Sequence, residues 1–273
     1  MPIMKTNIIR PVLAVFALTI GFLSAQTSPE ADSAADLAKK LSNPVAALIS
    51  VPLQGNYDFG IGPGDGTRFI LNVQPVIPFE LTEHWNLISR TILPVIDQEG
   101  IALGGASDAF GLGDTLQSLF FSPKEAEPFI WGVGPALLLP TATDSLLGGE
   151  KWAMGPTAVI LKQSGPWTYG ALANHLWDFA GDDDRSSVNS TFVQPFLSYT
   201  TPQATSITLN SETVYDWQHD QWNVPVNLLV SQLIKIGGQP VSVFGGVRYY
   251  LETPDGGPEW GLRFGLTFLF PKS

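Results

Sequence analysis

The sequence has no cysteine, only three histidines, few charges, and no apolar run of transmembrane-helix length after its first 25 residues. The missing cysteine excludes a disulfide scaffold and a thiol nucleophile. His84, His175 and His219 are scattered and form no HExxH zinc motif. Asn174 and His175, with Asp178 close by, are the one suggestive group, but neighbours on a strand point to opposite faces. The expectation is therefore no enzyme, no metal and no cofactor. Charged residues make up 14% of the chain, against about 25% in ordinary soluble domains. Basic residues are the scarcer kind, 14 Lys and Arg against 25 Asp and Glu, for a formal charge of −11. That balance argues against nucleic acid as a partner, because phosphate contacts need clustered Lys and Arg. Disorder is excluded as well, since 44% of residues are hydrophobic and mean hydropathy is +0.14.

What is present begins with an export signal. Lys5 and Arg10 precede the short apolar stretch 11–23, and Leu23-Ser24-Ala25 offers a small residue for cleavage before Gln26. An exported, charge-poor chain without a spanning helix needs another way to satisfy its backbone in lipid. A closed β-barrel is the remaining solution. The fold expected is all-β: a transmembrane antiparallel barrel of about 12 strands, with a short N-terminal helix after the signal peptide. The domains are then 1–25 signal peptide, 26–45 periplasmic helix or arm, and 46–273 barrel.

The helix is read over 28–43. Ser28 can cap it, Pro29 suits its first turn, Lys39 and Lys40 lie in its last turn and Pro44 stops it. Ala34, Leu37, Ala38 and Leu41 form a thin apolar stripe, which suits a surface helix beside the barrel better than a plug in its mouth. Strands are expected at 46–59, 67–81, 85–96, 110–121, 129–140, 151–162, 167–179, 188–200, 206–217, 222–235, 240–251 and 260–270. Each is rich in β-branched and aromatic residues and is bounded by Gly, Pro, Asp, Asn or Ser. In the last strand Trp260, Leu262, Phe264, Leu266, Phe268 and Phe270 alternate with Gly261, Arg263, Gly265 and Thr267. Such alternation places lipid outside and a polar lumen inside. Strands 85–96 and 110–121 alternate poorly.

Connection lengths give an orientation. Counting alternate connections, the set at 60–66, 97–109, 141–150, 180–187, 218–221 and 252–259 is the longer and holds 13 of the 25 acidic residues, with Arg185 as its one base. Outer-membrane barrels carry their long loops outside. Divalent cations are a candidate ligand for these loops, but Asp182-Asp183-Asp184 lacks a spaced calcium pattern, and solvated carboxylates suffice. Glycines 60, 62, 64 and 66 lack dinucleotide-binding spacing and read as a tight outer loop. All eight tryptophans lie near strand ends, as headgroup-level girdles require. The prolines 52, 75, 78, 94, 135, 156, 195 and 225 fall inside the expected strands. They require either bulges and kinks or redrawn strands.

Several stretches match a known family: Asn43-Pro44-Val45-Ala46, Trp85-Asn86-Leu87-Ile88-Ser89-Arg90, Phe110-Gly111-Leu112-Gly113-Asp114 and Leu147-Gly148-Gly149-Glu150-Lys151-Trp152. Others are Tyr169-Gly170-Ala171-Leu172-Ala173-Asn174-His175, Gln194-Pro195-Phe196-Leu197 and Gly257-Pro258-Glu259-Trp260-Gly261. On these the chain resembles the bacterial transporter proteins grouped with the meta-pathway of phenol degradation family, some of them mislabelled neuromedin U. The resemblance implies an outer-membrane barrel that moves small, often aromatic or apolar compounds; it implies no defined site residues.

Strand parity selects the lumen candidates: Arg68, Arg90, Asn210, Glu212, Arg248 and Arg263, with Asn72 and Gln74 beside them. Such charges either line a constriction that filters solutes or form a network that only stiffens the wall. The function expected is passive passage of small solutes, with outer-membrane lipid and the solutes as partners. The alternative is a structural or adhesive barrel with a blocked lumen, and a secreted soluble β-protein stands third.

Overall fold

The structure, a computed structural model, describes residues 29–105 and 107–271. The export signal and the cap at Ser28 lie outside the described residues. One helix, α1 (Pro29–Leu41), precedes a single antiparallel sheet. Sixteen ladder segments compose twelve spans, because four spans are each in two pieces. The first six spans are β1 (Ile49–Ile61), β2 (Gly66–Val73 and Val76–Glu80), β3 (Trp85–Glu99), β4 (Ala109–Leu112 and Thr115–Pro123), β5 (Ile130–Leu139) and β6 (Lys151–Ser164). The rest are β7 (Trp167–Gly181), β8 (Asn189–Thr200), β9 (Thr205–Ser211 and Thr213–Asp216), β10 (Gln221–Asn223 and Pro225–Ile236), β11 (Gln239–Tyr250) and β12 (Trp260–Phe270). β12 pairs with β1 from Ile49↔Phe270 to Phe59↔Trp260, so the sheet closes on itself with no free edge. Closure satisfies every lateral ladder and is what lets a sheet stand in lipid.

The twelve expected spans are all present, with shifted ends and four interruptions. β1 starts at Ile49 rather than at residue 46, and β3 runs on to Glu99. The prolines account for much of the irregularity. Pro75 lies in the break of β2, where its carbonyl still accepts from the Thr91 N–H at 3.1 Å. Pro225 opens the long piece of β10 opposite the break in β9, and its carbonyl accepts from the Glu212 N–H at 3.2 Å. Pro94 faces a bulge in β4: Ile96 pairs with Gly111 and Ile92 with Leu116, five steps against four. Pro135 and Pro156 oppose each other across β5 and β6, so two missing donors share one rung. Breaks, a bulge and proline pairing thus accommodate Pro75, Pro94, Pro135, Pro156 and Pro225 within the expected spans, while Pro52, Pro78 and Pro195 stand in continuous ladders.

Register fixes which side chains face inward. On β12, Gly261, Arg263, Thr267 and Leu269 are buried, whereas Trp260, Leu262, Phe264, Leu266 and Phe270 are exposed. Aromatics gather outside at both ends. Trp85 packs edge-on against Trp131 near the α1 end, and Phe59 stacks on Trp260 at the opposite end. Indole and phenol rings favour the headgroup level, so the two rings of aromatics mark the edges of an apolar band.

The two ends differ. At the α1 end the connections are 81–84, 124–129, 165–166, 201–204 and 237–238, each short. The opposite connections include 100–108, 140–150 and 251–259 and interlock. The Gly62 N–H donates to the Gly256 carbonyl at 2.8 Å and the Gly64 N–H to the Ile101 carbonyl at 3.3 Å. A Cβ at Gly64 would strike the Gly100 carbonyl oxygen. The glycine repeat thus permits backbone to approach backbone, as its reading as a tight loop requires. Asp114, at the bulge in β4, accepts from the Ala142 and Gly149 N–H groups at 3.2 and 2.7 Å. It folds loop 140–150 against that wall. Arg185 then ties the next loop to it, donating to the Ser145 carbonyl at 2.7 Å and to the Gly148 carbonyl, with Glu150 at 3.6 Å.

Candidate functional site: the barrel lumen

α1 packs within the barrel mouth, which departs from the surface position its sequence suggests. Ala34, Leu37, Ala38 and Leu41 join Leu48 against Leu233 and Leu269, both on inward-facing positions of β10 and β12. The Gln163 side-chain amide donates to the Lys39 carbonyl at 3.0 Å, and the Ser42 hydroxyl to that of Ser198 at 3.3 Å. Val45 continues the seal by packing with Ile88, Phe120, Val159, Leu161 and Leu172 of the inner wall. Residues 34–48 therefore occupy one end of the lumen.

Above that floor the polar candidates converge. Register places Arg68 and Asn72 inward on β2, facing Asp58 and Gln54 of β1. Glu212 sits at the break in β9, where the strand turns it into the lumen. Arg263 grips it with two hydrogen bonds, Nη1 to Oε1 at 2.7 Å and Nη2 to Oε2 at 2.6 Å. Arg248 reaches Oε2 at 3.4 Å. Arg263 also donates through Nε to Asn56 Oδ1 at 2.7 Å. Asn227 donates to Asn210 at 2.8 Å on the same wall. Nearer the loop end, the Tyr250 hydroxyl donates to Asp58 at 2.9 Å, and Arg68 lies 3.8 Å from the same carboxylate. Arg90 stands on β3, six strands round the barrel from β9, on the opposite wall from Glu212. Its Nη2 donates to Gln74 Oε1 at 3.3 Å.

All six sequence-selected lumen residues thus face inward; Glu212, Arg248 and Arg263 form one charged constriction, which Arg90 faces from the opposite wall. Arg68 belongs to the adjoining Asp58–Tyr250 group, and Asn210 to the wall below. Sequence reasoning passed over Asn56, Asp58 and Asn227, which are among the most buried polar side chains. The parity that selected Glu212 also places Asn56 and Asp58 inward, alternating with Tyr57 and Phe59. That signal was available.

Between the constriction and the floor lies a chamber of about 270 Å³. Amides of Gln54, Gln74, Gln194 and Asn210 line it, and Val76, Phe196, Leu229 and Phe244 give it apolar patches. Histidine chemistry has no place there: Asn174 is buried on the inner face, while the His175 ring lies against Trp177, centroids 4.0 Å apart, and bonds Thr191 at 2.7 Å on the outer face. Among the described residues no group of three or more His, Cys, Asp or Glu is arranged to hold a metal ion.

Comparison with solved structures agrees with the barrel. The fold is similar to an outer membrane channel from Pseudomonas putida F1, with a TM-score of 0.64 and 16% identity, over 82% of this chain and 96% of that one. Looser similarities reach outer membrane phospholipase A from Escherichia coli, with a TM-score of 0.47, 10% identity, and 81% and 92% covered. A porin gives 0.42, 11%, and 76% and 62% covered. Those two are too distant to bear on fold or function. No protein-family model matches the chain, and no curated protein matches it in sequence. The class defined is therefore the outer-membrane-type β-barrel, of twelve strands and with an occupied lumen.

Proposed function

We propose that this protein is an outer-membrane channel for passive passage of small solutes, and that it belongs with the transporter proteins its sequence resembles. The observation that carries the proposal is the lumen itself. Between charged constriction and helical floor it keeps a chamber lined by amides and apolar side chains, where a merely structural barrel would pack solid. The fold it shares with an outer membrane channel supports the same reading. In this proposal α1 and the short turns lie on the periplasmic side, and the long acidic loops face outward. Passage needs neither cofactor nor energy source; the chain's part is to bind, filter and release. Arg90 on one wall and the Glu212 group on the other set what passes between them.

The blocked-lumen alternative also has an observation in its favour, the seal made by residues 34–48. Single-channel recording in planar bilayers separates the two. The channel reading expects stepwise conductance from the intact chain. Silence from a correctly folded barrel, together with silence after removal of α1, would leave a structural or adhesive barrel.

A further inference from the structure

We infer that the lumen chamber is a binding site for a small organic anion, held at its charged end by Arg90 and along its apolar body by Phe196 and Phe244. The inference deepens the channel reading and rests on it for its physiological meaning, although binding can be measured without conduction. It begins with the charges of the constriction. Arg90, Arg248 and Arg263 face one carboxylate, Glu212, for a net charge of +2. Both Glu212 oxygens are engaged by Arg263, and one of them also by Arg248. Arg90 is left with the neutral amide of Gln74. An arginine in a protein does not shed its proton, and Arg90, half-buried on the chamber wall, is bonded to a neutral amide rather than to a carboxylate. An anion entering the chamber supplies the counter-charge that the wall does not.

The chamber under Arg90 suits such a guest. Its charged lining residues are Arg90 and Lys40, the latter supplied by α1, and no carboxylate lines it. A metal cation is therefore disfavoured. A bare inorganic anion would leave Phe196, Phe244 and Leu229 without a partner, whereas a carboxylate with a short apolar tail uses both kinds of wall. The volume, below the 300–1,000 Å³ or so of drug-sized pockets, limits the guest to a small molecule. The planar guanidinium selects a carboxylate because it can offer two parallel N–H donors.

The test is calorimetric titration of the full-length barrel in detergent with hexanoate, its neutral isostere hexanamide, and inorganic phosphate. The intact protein should bind hexanoate about tenfold more tightly than hexanamide, the difference expected of one charge-assisted pair. Arg90→Gln should abolish that preference, Arg90→Lys should keep part of it, and Phe244→Ala should weaken both organic ligands. Heat-modifiable gel mobility reports folding, and Arg90→Lys carries the test if Arg90→Gln does not fold. Equal binding of hexanoate and hexanamide, phosphate binding as tight as hexanoate, no binding at all, or an unchanged preference in a folded Arg90 variant would each overturn the inference. Hexanoate binding by a barrel that never conducts would uphold the site and overturn the channel. Conductance without a hexanoate preference would do the reverse.

Discussion

Replacing Glu212 with Gln tests whether the charged constriction is held together as described. Gln keeps the shape of the side chain and removes its charge, leaving Arg263, 2% exposed, with only neutral acceptors, the one remaining amide oxygen and Asn56, and Arg248 without its carboxylate. Breaking a buried ion pair by removing one partner costs about 3–5 kcal/mol. Glu212 itself is 20% exposed to the lumen, so the lower end, about 3 kcal/mol, is the expected loss. The charge of Arg90, Arg248, Arg263 and Glu212 changes at the same time from a net +2 to +3, because Glu212 is the carboxylate that pairs with Arg248 and Arg263. The assay is guanidinium unfolding in lipid vesicles followed by the tryptophans, which sit near the strand ends and report loss of the barrel. A second variant, with Arg263→Gln added, removes both partners. It should cost less than the sum of the two single changes, with a coupling of about 2 kcal/mol, because the buried Arg263 charge is then gone and only the more exposed Arg248 is left without its carboxylate. A loss below about 1 kcal/mol in the single variant, with a strictly additive double, would show that lumen water already screens the pair and would refute the reasoning.

Other outcomes follow from the same contacts. A chain lacking Pro29–Leu41 removes the cluster around Ala38 and Leu233, and single-channel conductance should rise; an unchanged current step would show that α1 does not limit the passage. Asp114→Ala frees the Ala142 and Gly149 N–H groups, at a cost of about 2 kcal/mol for two bonds to a charged acceptor. Limited proteolysis should then nick loop 140–150, and equal resistance to protease would count against the tether. Gly64→Ala forces a Cβ onto the Gly100 carbonyl, and its expected cost of about 1–3 kcal/mol should show as a lower unfolding midpoint.

The strands were legible because spacing and turn chemistry speak locally. Gly, Pro, Asp and Asn punctuate twelve apolar segments, and period-2 alternation in β12 names the lipid face without any tertiary information. β3 and β4 alternate poorly for a reason visible only in the pairing. Their inward faces carry Ile88 and Phe120, packed under Val45, while outward Thr91 donates to Gln117 at 2.6 Å and Gln117 donates to Ser89 at 3.0 Å. A polar set that satisfies itself on the outer face, opposite an inner face that mixes Ile88 and Phe120 with Asn86, Arg90, Ser118 and Ser122, cancels the expected pattern. The breaks could be anticipated at Pro75 and Pro225, but not the consequence that the break in β9 lies opposite Pro225 and delivers Glu212 into the lumen.

The position of α1 was the least legible feature, and the reason is general. An apolar stripe of Ala34, Leu37, Ala38 and Leu41 states that one helix face is covered; it does not state by what. The missing information lies in the strands. Along the inward face of β12 the series Gly261, Arg263, Gly265 and Thr267 ends in Leu269, and β10 changes in the same sense from Asn227 to Leu233. A lumen that is polar at mid-depth and turns apolar at one end needs an apolar occupant at that end, because water there would leave those side chains unpaid by burial. Residues 42–48 join α1 directly to β1, whose first rung pairs Ile49 with Phe270 beside Leu269. So short a connection holds the helix at the mouth at high effective concentration. The plug is therefore written in two places that only the closed barrel brings together: a weakly amphipathic helix, and the last inward residues of the strands beside it.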